Sequence, residues 1–342
     1  MNNHPNYRVS FILFMIITLG VCSYPVSVKA LTISPTRFEI SGNPGDTLDG
    51  EIRLINETPS AETYYVSFSN FEAQGESGNP AFVEPKDDLG TWIKTESSSV
   101  HIAPGERKIV PFKVTIPKDA EPGGHFAVIF WGTAPPSGSG VGVGSKTGVL
   151  VLLSVNGDVR EEAGLLDFNT TNKQFWYKTL PVSFEYRFKN DGGDRIKPNG
   201  KVTIRDTVFL PTERLDANLS EGNILPSSTR KFQVEWLKYE RPVDYVAPKN
   251  FVKKFWSEVV YEWKNFAVGL YSAHLDLEYG TKGEHAKETL FFFVFPWQLV
   301  LVMIVLFIIV FWGGKKLIKR YNKFIIEKAR AGIKLPPDSS NG

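Results

Sequence analysis

The residues of this chain that could do chemistry are few and scattered. A phosphate-binding loop is suggested by Ser137-Gly138-Ser139-Gly140-Val141-Gly142-Val143-Gly144-Ser145-Lys146-Thr147. Such a loop needs Gly-Lys-Ser/Thr in direct succession at the start of a helix. Here Ser145 separates Gly144 from Lys146 and the apolar run Val149 to Val155 follows, so the stretch reads as an inter-strand loop. The histidines His4, His101, His125, His274 and His285 lack the close spacing of a metal pair. Asp87-Asp88 and Asp276-Leu277-Glu278 do not have the ligand spacing of a calcium loop, and they read as solvated turn and strand charge. No Gly-x-Ser-x-Gly elbow is present. The expectation is a protein that is not an enzyme and holds no cofactor and no metal.

Aromatic residues are the other candidates for a binding role, since Phe, Trp and Tyr make up 13% of the chain. Rings in clusters such as Phe126 to Trp131 and Phe175-Trp176-Tyr177 could stack on sugars. Large cores also need them, and Phe126, Val128 and Phe130 alternate with Ala127, Ile129 and Trp131 as in a strand buried on both faces, so core is the favoured reading.

Both ends of the chain point to a membrane. Phe291 to Trp312 is an unbroken apolar run, long enough for a hydrocarbon core of roughly 30 Å. Lys315, Lys316, Lys319 and Arg320 follow at once and mark the cytoplasmic side. At the other end Arg8 precedes the apolar stretch Phe11 to Cys22, and Val28-Lys29-Ala30 offers a signal-peptidase site. Leu19-Gly20-Val21-Cys22 resembles a lipobox, but Val21 is too large for the residue before a lipidated cysteine. The expected organisation is a signal peptide (1–30), a first domain (31–162), a second domain (163–289), a transmembrane helix (290–312) and a basic cytoplasmic tail (313–342).

The overall charge of +2 is unevenly distributed: the tail carries +6 and the signal segment +2, leaving −6 for the exported part. An acidic exterior argues against nucleic acid as a partner, and against a polyanionic wall polymer held by charge alone. Membrane lipid is the expected partner of the span and its basic flank. Cys22, the only cysteine, falls in the signal segment, so the exported part has no thiol for a disulfide or a metal.

The exported part reads as short half-buried strands. Val110, Phe112, Val114 and Ile116 share one face, as do Tyr64, Val66 and Phe68. In the second domain Val182, Phe184, Tyr186 and Phe188 alternate with polar residues, and so do Tyr271, Ala273, Leu275, Leu277 and Tyr279. Turns such as Pro44-Gly45-Asp46 and Pro104-Gly105-Glu106 separate the strands. The expected fold class is all-β, two tandem immunoglobulin-like β-sandwiches followed by one C-terminal transmembrane helix. An internal echo supports the pairing: Asn56 ends a strand before a polar turn and Asn190 does likewise.

One segment departs from this pattern. Phe251, Phe255, Val259, Trp263 and Phe266 recur at three- and four-residue steps within 250–266, the spacing of an amphipathic helix. One reading is an interfacial helix with Trp256, Tyr261 and Trp263 at headgroup level, and Trp297 and Trp312 are further candidates for the membrane interface. The favoured reading is an insertion whose apolar stripe packs on its own domain.

The arrangement resembles the WxL-interacting proteins of Gram-positive bacterial surfaces. The resemblance rests on Ile33-Ser34-Pro35-Thr36-Arg37-Phe38, on Pro44-Gly45-Asp46-Thr47 before Ile52-Arg53-Leu54-Ile55-Asn56, on the Pro104-Gly105-Glu106 turn and on Gly123-Gly124-His125-Phe126-Ala127-Val128-Ile129-Phe130. It covers the first domain best, while the second matches in outline and the helical insertion has no counterpart. It implies a first domain that contacts peptidoglycan and a second that engages another surface protein. The expected function is a membrane-anchored cell-surface binding protein acting as an adhesion or scaffold module, in the plasma membrane with its domains outside. The alternative is an accessory subunit of a membrane-bound export or pilus-like assembly.

Overall fold

Alternating apolar and polar residues build the sheets. The computed structural model describes residues 30–135, 145–208 and 210–332; the expected signal segment with Cys22 and His4, and most of the Gly-rich stretch, lie outside them. The chain divides into two units, Met1–Glu72 with Pro80–Val159 and Ala73–Asn79 with Arg160–Gly342.

The first unit contains β1 (Leu31–Ser34), β2 (Arg37–Gly42), β3 (Thr47–Asn56), β4 (Glu62–Gln74), β5 (Asn79–Val83), β6 (Ile93–Thr95), β7 (Ser99–Ile102), β8 (Arg107–Thr115), β9 (Gly123–Gly132) and β10 (Lys146–Val155). One sheet has the order β1-β3-β8-β6, the other β2-β10-β9-β4-β5 with β7 also on β4. The chain changes sheets between β1 and β2 at Pro35, which has no N–H to continue a ladder. Ile52, Leu54, Val110, Phe112 and Val114 face Ala127, Ile129, Trp131, Val151 and Leu153 in one core. Phe126 to Trp131 is buried on both faces of β9, as its composition implies. A single turn, α1 (Leu89–Trp92), is capped by Asp88, whose carboxylate accepts from Leu89 N at 2.7 Å.

The second unit contains β11 (Ala163–Thr170), β12 (Trp176–Tyr177), β13 (Val182–Asn190), β14 (Asn199–Arg205), β15 (Pro211–Asp216), β16 (Ser228–Trp236), helix α2 (Phe251–Lys264), β17 (Gly269–Tyr279), β18 (Glu284–Val294) and helix α3 (Trp297–Gly332). Its sheets have the orders β11-β13-β16 and β12-β18-β17-β14-β15. Val182, Phe184, Tyr186 and Phe188 are fully buried, and Ala273, Leu275 and Leu277 meet them from the opposite sheet. The fold is therefore two β-sandwiches followed by one long apolar helix.

The echo between the units extends to their hydrogen bonds. Asn56 is fully buried at the end of β3 and donates through Nδ2 to Ser60 O (2.8 Å) and Ile102 O (3.0 Å). Its Oδ1 accepts from Thr58 N at 3.0 Å. Asn190, fully buried at the end of β13, donates to Asp194 O (2.7 Å) and Ile224 O (2.9 Å), and accepts from Gly192 N at 2.9 Å. Each asparagine thus closes its own turn and ties it to an Ile that stands two residues before a proline, Pro104 or Pro226.

One boundary is corrected. The apolar run from 290 does not begin a helix, because Phe291 to Val294 complete β18 in register with β17, Phe292 opposite Tyr271 and Val294 opposite Gly269. Phe292 and Val294 alternate into the core, and helix α3 starts at Trp297, directly after Pro296. The uncharged helical stretch from Trp297 to Gly314 is 18 residues, about 27 Å at the usual helical rise.

Candidate functional site

The residues singled out by sequence converge on α2 and α3. Asn250 caps α2, accepting from Val252 N (2.9 Å) and Lys253 N (3.2 Å). Beyond its other end, Asn265 accepts from Tyr239 N (2.9 Å) and donates to Tyr239 O (3.0 Å). Between them Glu258 accepts from Arg241 Nη2 at 2.6 Å, and Tyr245 and Ser257 share a hydroxyl hydrogen bond of 2.6 Å. The helix is therefore fastened to the 238–245 segment along its length.

Its two faces differ. At about 100° per residue, Phe255, Glu258, Val259 and Glu262 fall on one side. Val259 and Glu262 are buried there, as the favoured sequence reading expects of the Phe255–Val259 part of the stripe. Val252, Trp256, Val260 and Trp263 fall within an arc of about 80° on another side. All four are exposed, Trp256 at 52% and Trp263 at 65%. The stripe is thus divided between core and surface, a distinction that spacing alone does not resolve. Tyr261 does not join the exposed rings: it is half-buried beneath the Arg241 guanidinium, 3.9 Å from the ring centroid.

Glu262 connects the two helices. It is buried, and Oε2 accepts from Leu299 N at 2.6 Å in the first turn of α3, where backbone N–H groups have no partner within the helix. Burial raises its carboxyl above the usual range, while the N–H groups of Leu299 and Gln298 pull it back. Trp297 stands beside this joint with its ring 6.2 Å from that of Phe255. Glu262 was not legible as a site residue, since an isolated Glu on a charged helix carries no distinguishing signal.

From Trp297 the helix is long and apolar enough to cross a membrane, and its side chains are almost all exposed. Trp312 is 73% exposed, and Lys315, Lys316, Lys319 and Arg320 follow on the same unbroken helix. Lys315 folds back over the Phe311 ring at 4.3 Å.

The sequence assigned Phe175-Trp176-Tyr177 to the core, and the structure corrects this. Tyr177 is half-buried, but Phe175 is exposed and Trp176 is 66% exposed. β12 pairs with β18 so that Trp176 lies opposite Phe293, their ring centroids 4.6 Å apart. Tyr177 packs against the core, so Trp176 falls on the outer face of the sheet with Phe293.

The remaining candidates are engaged in local structure. His125 meets Asp88 Oδ1 at 2.6 Å and Glu121 O at 2.8 Å, and its ring lies against Trp92. Asp276 accepts from His285 (3.0 Å) and Lys287 (2.9 Å), and these bonds hold its carboxyl below the usual range. His274 pairs with Thr289 at 2.6 Å, and His101 with Thr63 at 3.1 Å. Among the described residues no group of three or more His, Cys, Asp or Glu is placed to hold a metal.

No protein-family model matches the chain, and no curated protein matches it. Solved structures of similar architecture do. A chain from a complex of a chaperone with the tip adhesin of CFA/I fimbriae shares 9% identity, with 78% of this chain and 99% of that one covered and a TM-score of 0.36. The class 5 fimbrial chaperone CfaA shares 10% over 77% and 99%, with a TM-score of 0.36. A chain of the CsuC–CsuE chaperone–tip subunit complex of Acinetobacter baumannii shares 12% over 78% and 99%, with a TM-score of 0.34. A likeness this distant assigns neither a ligand nor a partner to this chain.

Proposed function

We propose that the chain is a single-pass protein of the plasma membrane. It displays two immunoglobulin-like sandwiches outside the cell as a non-enzymatic binding or scaffold module, and its C-terminus lies in the cytoplasm. The observation that carries this reading is the passage from β18 to α3. The last strand of the second sandwich enters, after Phe295 and Pro296 alone, a helix whose uncharged stretch suits the hydrocarbon core and whose apolar side chains have almost no cover in the protein. Lys315, Lys316, Lys319 and Arg320 favour retention of the tail inside. The resemblance to WxL-interacting proteins supports peptidoglycan and another surface protein as partners, and exposed sheet edges offer strand addition as a binding mode.

Protease added to intact cells tests the topology: the sandwiches should be removed and a fragment of the span and tail protected. Survival of the sandwiches with loss of the tail would reverse it. For the partners, the full chain in nanodiscs is mixed with isolated cell wall and with solubilised envelope proteins. Co-sedimentation with wall supports the peptidoglycan contact, and its absence removes it.

The joint between Glu262 and Leu299 favours a second reading, an accessory subunit of a membrane-bound export or pilus-like assembly, because it couples α3 to the sandwich more firmly than a passive tether requires. Exchange of α3 for an unrelated span separates the two. Retained function supports a simple anchor, and loss at normal abundance supports the subunit.

A further inference from the structure

Two exposed aromatic patches border the start of α3. On α2, Trp256, Val260 and Trp263 are 52%, 52% and 65% exposed. On the β12–β18 edge Trp176 lies on Phe293, and Phe293 stands opposite Leu270, itself 38% exposed. Both patches are tied to the first turn of α3. Phe293 precedes Trp297 by four residues, and α2 holds that turn through Glu262 and through the contact of Phe255 with Trp297. Phe255 and Glu262 of α2 touch residues 297 and 299, so if α3 enters the bilayer at Trp297, this part of α2 stands at the level of the entry point.

We propose that these two patches seat on the outer-leaflet lipid surface, so that the second sandwich rests on the bilayer instead of standing off from it. The inference rests on the membrane reading above. Tryptophan-rich faces edged by lysine match the headgroup boundary, where an indole keeps its apolar body in the acyl region and its N–H in water. Lys253 in the first turn of α2 is exposed beside the stripe and complements anionic phosphates. The occupant is lipid because the span fixes what lies next to these faces. The same faces would be costly to leave in water as a contiguous surface.

The test uses the full chain with Cys22→Ser in nanodiscs of phosphatidylcholine and phosphatidylglycerol, one copy per disc. Single cysteines are introduced as Trp176→Cys, Trp256→Cys, Val260→Cys and Trp263→Cys, with Leu219→Cys as a control at an 85% exposed position and Ile308→Cys within the helix. Each is spin-labelled, and its collisions with oxygen and with a water-soluble nickel chelate are compared. The ratio of oxygen to nickel collisions at 176, 256, 260 and 263 is expected to exceed that at 219 by roughly threefold or more, because an interfacial position is withdrawn from water. Values equal to that at 219, with 308 shielded from nickel, overturn the inference and leave the span standing. Nickel access at 308 overturns the membrane reading itself. Shielding that appears only with two copies per disc assigns the faces to a second copy and also overturns the inference. Val260→Cys alters volume least and supplies the result if a tryptophan variant does not fold.

Discussion

Glu262 and Leu299, 37 residues apart, are joined by a hydrogen bond of 2.6 Å in which the Leu299 N–H donates to a buried carboxylate. A side chain of one helix thereby supplies the cap of another. Removing the acceptor leaves first-turn N–H groups without a partner, a loss of about 1–2 kcal/mol. Glu262→Ala should lower the Tm of the full chain in nanodiscs by that equivalent, whereas Glu262→Gln keeps an acceptor and should show no such loss. Equal losses in both would show that charge, not the hydrogen bond, holds the joint.

The same residue gives stability a pH dependence. Burial raises the Glu262 carboxyl, so the folded state binds its proton more tightly than the unfolded state does. Its contribution is full below the ordinary carboxylate range and is lost as pH rises through that range towards the raised folded value. The gap in Tm between Glu262→Gln and the parent should therefore widen in favour of the variant from about pH 4 to about pH 7.

Asp276 has the opposite sign. Its carboxyl is lowered by His285 first and Lys287 second, so its contribution is present above the ordinary carboxylate range and lost as pH falls through the depressed value. The pair is 40% and 50% exposed, and solvent screening keeps the effect of Asp276→Asn at neutral pH below about 1 kcal/mol. A larger loss in urea unfolding would point to a structural role beyond the ion pairs.

Asn56 and Asn190 should respond alike in the three backbone bonds they share, with Asn56 also accepting from Thr58 Oγ1 and Tyr64 OH. Asn56→Ala or Asn190→Ala removes two donated bonds and leaves a turn N–H without its side-chain acceptor, although Ser60 O keeps Thr58 Oγ1 and Ile224 O keeps Ile196 N, and is expected to cost about 1–3 kcal/mol in denaturant unfolding. Asn→Asp at either position turns the donating Nδ2 into an acceptor facing carbonyl oxygens and should cost at least as much. A benign Asp variant would mean that the asparagine donors are dispensable.

Gly200 lies where β14 runs against β17, and a Cβ there would stand 2.0 Å from Asp276 O. Backbone cannot yield as a flexible side chain can, so Gly200→Ala should destabilise by about 1–3 kcal/mol or more. Gly164→Ala, with nothing within 4 Å of the added carbon, is the matched control and should be near neutral.

The strands and the long helix were legible in the pattern of residues alone. Period-two alternation at Val182 to Phe188 and at Tyr271 to Tyr279 can bury only one face of a strand, and an uncharged apolar run of this length meets the requirement of a bilayer. The asparagine echo was legible as well, because a strand-ending Asn before a polar turn is a local feature. Three things were decided only by the tertiary structure. Phe291 to Val294 read as the beginning of the span, but pairing with β17 drew them into the sheet, since neighbouring strands satisfy their backbone groups. Trp176 read as core, yet pairing with Phe293 sets it on the outer face of the sheet while its neighbour Tyr177 packs inward. Glu262 carried no signal, because the N–H group that accounts for it belongs to a residue brought near only by folding. Periodicity reports what a segment can bury; which neighbour covers it depends on contacts between residues far apart in the chain.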